Sequence, residues 1–101
     1  MSKRVAGIIN KLKSDYKPEK IILFGSHAYG KPTSDSDVDL AVIIKNTNLS
    51  YHDRLIGIRR LMHTTIPIDF FVLTKDELEE KAKENFFLRE ILERGKVVYE
   101  K

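Results

Sequence analysis

Three carboxylates and a Gly-Ser pair are the residues of this chain whose types and spacing can do chemistry. The first strongly apolar run reads Ile21-Ile22-Leu23-Phe24 and passes straight into Gly25-Ser26. After a stretch from His27 to Ser36 comes Asp37-Val38-Asp39, followed by Leu40-Ala41-Val42-Ile43-Ile44. Side chains alternate across a β-strand, so Asp37 and Asp39 project from one side, about 7 Å apart. Val38, Leu40, Val42 and Ile44 then take the opposite, core-facing side. Two carboxylates on one face can share hard cations. A glycine directly after a buried strand lets backbone N–H groups approach a phosphate, and a following helix N-terminus adds partial positive charge. Together these residues suggest phosphoryl or nucleotidyl transfer.

Each piece alone has a plainer explanation. Gly25-Ser26 also reads as a turn with an N-cap, and Asp-x-Asp as a solvated edge. The third acid shifts the balance. Asp69 lies within the apolar run Ile66 to Leu73, where an ionised group is costly unless paired or metal-bound. If that strand pairs beside residues 37–44, Asp69 converges on the same face. Three acids around one point repel one another unless a cation neutralises them, and Mg²⁺ answers that penalty.

The elements that must position these residues follow from periodicity. Val5, Ile8, Ile9 and Leu12 recur at helical spacing, and Pro18 closes the connection to a buried strand over 20–24. A short helix is expected behind Ser26, becoming loop at Gly30-Lys31-Pro32-Thr33. A second strand covers 37–44. Ser50 begins a helix with the stripe Tyr51, Leu55, Ile58 and Met62, and Asp53 in its first turn. The third strand spans 66–73, with Pro67 tolerable at its start. Thr74-Lys75-Asp76-Glu77 is a capping box for the next helix. Asn85 caps another, with Leu88, Ile91 and Leu92 inward and Gly95 as its stop, before a final short strand over 96–99. This order predicts an α/β (α+β) architecture, a small mixed sheet with helices packed against it, in a single domain over residues 1–101.

Composition narrows the function classes. The chain has 101 residues, 42% hydrophobic and 33% charged, an ordinary globular balance. No apolar stretch approaches the roughly 18–20 residues that cross a bilayer, and no signal peptide is expected, so a cytoplasmic protein without membrane contact is anticipated. The absence of cysteine excludes disulfides and thiolate metal sites. With 15 acids interspersed among 18 bases there is no dense polybasic stripe, and direct nucleic-acid binding is not expected.

Gly25-Ser26, Asp37-Val38-Asp39 and Asp69 resemble the signature of the DNA-polymerase-β-like nucleotidyltransferases: Gly-Ser, a spacer, Asp-x-Asp, and a later Asp on a neighbouring strand. The whole length, with the ending Phe87 to Tyr99, is similar to the minimal nucleotidyltransferases within that superfamily. The resemblance implies a nucleotidyltransferase palm-like fold in which Asp37, Asp39 and Asp69 hold two Mg²⁺ ions and Gly25 and Ser26 bind the triphosphate of ATP. Asp69 would also help to activate the acceptor hydroxyl. It further implies an antitoxin that transfers AMP to a tyrosine of a HEPN-domain toxin. The alternatives are a module that neutralises its partner by binding alone, or a small-molecule or RNA nucleotidyltransferase.

One departure stands out. Family members commonly carry arginines after Gly-Ser, where this chain has His27-Ala28-Tyr29-Gly30. Lys31, Arg54, Arg59 and Arg60 are candidate replacements, each read first as a solvated surface base, and His52 and His63 as ordinary surface or half-buried histidines.

Overall fold

A computed structural model describes residues 3–25, 28, 37–63 and 67–101. Helix α1 (Lys3–Lys11) buries Val5, Ile8 and Ile9. It runs into a π-helical turn at Leu12–Tyr16, ended by Lys17 in the left-handed conformation (φ 55°). Strand β1 (Lys20–Phe24) keeps the expected bounds, and β2 covers Val38–Ile44. Helix α2 (Tyr51–Met62) is capped by Ser50, whose hydroxyl accepts the Asp53 N–H. Strand β3 (Ile68–Thr74) leads into α3 (Lys75–Ala82) through the expected capping box, both of its hydrogen bonds present. Helix α4 (Phe86–Arg94) is capped by Asn85, and β4 (Lys96–Glu100) closes the order.

The four strands form one mixed sheet in the order β3-β2-β1-β4. β1 is antiparallel to both β2 and β4, whereas β2 and β3 run parallel. A parallel neighbour needs a crossover, and α2 provides it.

Both faces of the sheet are covered, which differs from the one-sided strand expected over 37–44. On one face Leu23, Leu40, Val42 and Val72 pack with α1 and with Ile58 and Met62 of α2. On the other, Ile22, Phe24, Ala41, Ile43 and Leu73 pack with Leu78 and Ala82 of α3 and Leu88 and Ile91 of α4. Ala41 and Ile43 share the parity of Asp39, so the acid-bearing side of β2 is itself core beyond Asp39. Two-sided burial is what an unbroken apolar run such as Ile21–Phe24 requires.

Other expectations shift. Arg54, read as a surface base, is only 6% exposed. Its guanidinium donates to both carboxylate oxygens of Glu77 (2.7 and 3.1 Å), to Val72 O and to Leu49 O. Leu92, expected inward, is 49% exposed, and Tyr51 sits at the surface end of its stripe. Gly95 does end α4, but with an extended backbone (φ −66°). A side chain there would overlap Ile91 O and Ile22 Cγ2, so close packing, not a left-handed cap, calls for glycine. Asp37 stands just before β2, and β3 begins at Ile68, with Ile66 outside the described residues. No helix among the described residues is long and apolar enough to cross a membrane.

Candidate active site

Strand register builds the site. In the parallel β2–β3 pair, Asp39 stands opposite Asp69; in the antiparallel β1–β2 pair, it stands opposite Phe24. Neighbouring strands are about 4.8 Å apart, so the two aspartates sit side by side where β1 gives way to Gly25. The Val38 N–H donates to Pro67 O (3.0 Å) and fixes the start of this register.

Gly25 adopts φ +76°, a conformation that L side chains rarely take. A Cβ at that position would overlap Asp39 Oδ2 and lie 3.1 Å from Asp39 Cγ. The missing side chain is therefore the space that the Asp39 carboxylate occupies. The Gly25 carbonyl accepts the Ala28 N–H (3.0 Å), which turns the chain immediately after β1. Ser26 and His27, like Tyr29 and Lys31, lie outside the described residues.

Asp39 is half-buried, whereas Asp37 and Asp69 are exposed. For Asp69 this corrects the sequence reading, which placed it within an apolar strand interior. It is instead the second residue of an edge strand, at the open end of the sheet. Asp37 and Asp69 line one cavity of about 320 Å³, together with Arg59 and His63 from the end of α2. Of the candidate replacement bases, Arg59 thus shares a cavity with two of the acids. Arg54 does not: it is held by Glu77. Arg60 and His52 are surface residues.

Among the described residues no three His, Asp or Glu side chains are already drawn together around one point. Register places Asp39 beside Asp69, and Asp37 stands just before β2. The donor set nonetheless fits a hard divalent cation such as Mg²⁺. Every candidate ligand is a carboxylate oxygen, and Gly25 leaves the room in which the Asp39 carboxylate sits.

Residues 7–101 match the family described as "Polymerase beta, Nucleotidyltransferase". The chain belongs to that family. It is 33% identical over 99 residues, spanning 96% of each chain, to a Methanocaldococcus jannaschii protein named "Putative protein adenylyltransferase MJ0604". Its fold is similar to the 1.40 Å crystal structure of a "putative nucleotidyltransferase from Sulfolobus solfataricus", with a TM-score of 0.67 and 19% identity. That likeness covers 98% of this chain and 79% of the other. A nucleotidyltransferase uses an NTP and a divalent cation, and in this member Asp39, Asp69 and Gly25 lie at one end of the sheet, with Asp37 just before β2.

An aromatic wall beside the acids escaped sequence reasoning. Phe24, Phe71 and Phe87 pack together, with ring centroids 5.4–5.7 Å apart. The spacing Asp69-x-Phe71, which puts a ring on the acid's own face, was the available signal.

Proposed function

We propose that this chain is an Mg²⁺-dependent protein adenylyltransferase, transferring AMP from ATP to a tyrosine hydroxyl of a HEPN-domain toxin and acting as its antitoxin in the cytoplasm. The observation that carries the proposal is the register placing Asp39 opposite Asp69 at the strand end where Gly25 makes way for a carboxylate. Family membership and the name of the Methanocaldococcus jannaschii relative support it.

In this scheme Asp37, Asp39 and Asp69 would hold the cation, while Gly25 and Ser26 bind the triphosphate. Bound Mg²⁺ supplies charge neutralisation on the phosphates and a lowered pKa at the acceptor hydroxyl. Asp69, exposed on the edge strand, would take the hydroxyl proton. Positioning and charge neutralisation account for catalysis of this type.

The test is intact-mass spectrometry after incubation with ATP, Mg²⁺ and the product of the adjacent gene. The partner should gain the mass of one adenylyl group per transfer. A tight complex with unmodified masses would overturn the enzymatic reading in favour of neutralisation by binding, and label on RNA alone would overturn the protein acceptor.

A further inference from the structure

Phe71, two residues beyond Asp69 and on the same face of the sheet, opens a cavity of about 230 Å³. Leu73 of β3 and Phe87 and Leu88 of α4 supply the rest of its apolar wall. Phe87 stacks against Phe71 with centroids 5.5 Å apart, yet remains 47% exposed, so its ring is presented at the surface. We propose that this cavity is the acceptor pocket. It would hold the phenol ring of a tyrosine on a partner protein, with the hydroxyl turned to Asp69, an assignment that rests on the adenylyl-transfer reading above.

Two arguments select this occupant. The first is directional. Gly25 ends β1, Asp39 lies on the central β2, and Asp69 and Phe71 lie on β3 at the sheet edge. In an in-line displacement the leaving group and the nucleophile stand on opposite sides of phosphorus. With the triphosphate at the Gly25 side, the nucleophile arrives from β3, and the cavity lies on that side.

The second argument is chemical. A nucleobase must be read by donors and acceptors along its edge. Here the acceptor that a base's amino group would need is already engaged, Asn85 Oδ1 accepting the Leu88 N–H (3.2 Å) as the cap of α4; the Tyr51 hydroxyl lies 3.5 Å from Phe70 O, and Lys81, which also lines the cavity, only donates. A phenol ring needs only apolar and aromatic surface, which the wall provides. Residues Asp69 and Phe71 are about 7 Å apart along the strand, close to the length of a tyrosine side chain from Cβ to hydroxyl.

The reaction balances without a further reagent. The phenol oxygen forms a bond to the α-phosphorus of ATP. The bond from that phosphorus to the oxygen bridging the β-phosphate breaks, and pyrophosphate leaves with the electron pair. The phenol proton passes to Asp69 and on to water.

N-acetyl-tyrosinamide is the probe. Saturation-transfer NMR should show its ring protons contacting the wild-type chain. Phe87→Ala should weaken that binding at least fivefold and raise the KM for the probe as AMP acceptor, leaving the thermal shift given by Mg²⁺ and ATP in place. Phe87→Leu, which keeps apolar volume without the ring, guards against loss of the fold and should show a smaller loss of the same kind. Phe86→Ala, at a residue 74% exposed and outside the cavity, should change neither readout. The pocket is overturned if the probe does not bind the wild type or binds Phe87→Ala equally well. It is also overturned if Phe87→Ala weakens the ATP-dependent shift instead, which assigns the cavity to the base. Phe87-dependent binding with no AMP transfer to any acceptor supports the pocket and overturns the adenylyl-transfer reading.

Discussion

Neutralising Glu77 should remove a pH-dependent tie between three elements. The Arg54 guanidinium donates to both Glu77 oxygens and holds the carboxyl at about 2, against an ordinary 4.5. Thr74 adds to this: its backbone N–H donates to Glu77 Oε1 within the capping box (2.8 Å). Because the folded pKa is depressed, the stabilisation is complete above pH 4.5 and is lost as pH falls through about 2. That difference corresponds to about 3 kcal/mol, which the partial exposure of the Glu77 carboxylate screens to about 2 kcal/mol. Glu77→Gln keeps the shape and one acceptor but not the charge. It should therefore unfold about 2 kcal/mol more easily at pH 7, or about 10 °C lower for a domain of this size. The assay is urea denaturation of both proteins at several pH values between 7 and 2. Other carboxylates titrate equally in the two and cancel in the difference, which should shrink toward zero as pH approaches 2. A gap of the same size at both ends of the range would refute an ionic tie.

Gly25→Ala should destabilise by about 1–2 kcal/mol through the left-handed backbone alone, and by displacing the Asp39 carboxylate should also reduce the thermal shift given by Mg²⁺ and ATP. An unchanged shift in thermal melts would separate Gly25 from the site. Asp39→Asn should keep the fold by circular dichroism and abolish transfer of labelled AMP; a wild-type rate would sink its assignment as a cation ligand. Mg²⁺ together with a non-hydrolysable ATP analogue should raise the melting temperature by more than the sum of the separate shifts, since each completes the other's site, and a merely additive result would count against a shared one.

Local signals were readable from the residues, and long-range ones were not. The bounds of β1 follow from an apolar run closed by Pro18 and Gly25, and the caps at Ser50, Thr74 and Asn85 depend only on the next three residues. Asp69 could be brought to the face of Asp37 and Asp39 because pairing its strand beside residues 37–44 was the arrangement that joined the acids; the parallel direction of that pairing was not legible. The Arg54–Glu77 pair spans 23 residues, and no local pattern distinguishes Arg54 from Arg59 or Arg60. Ala41 and Ile43 show why the acid face looked solvent-exposed. An alternating pattern was inferred from the acids, although the run after Asp39 is apolar at every position, the mark of a strand covered on both sides. Leu92 fits the helical stripe of α4 yet is half exposed. Ser26 belongs to the signature but lies outside the described residues.

The parallel pairing of β2 with β3 has a consequence for how the protein comes into being. β1 meets β2 as an antiparallel neighbour, but Asp69 reaches Asp39 only after α2 has crossed over and closed a loop of some thirty residues between them. Non-local parallel pairing of this kind is slow relative to helix formation. A nascent chain that has not yet extruded β3 holds Gly25, Asp37 and Asp39 without their partner acid. On the adenylyl-transfer reading, the set of acids is therefore completed in one event, at the docking of a single edge strand.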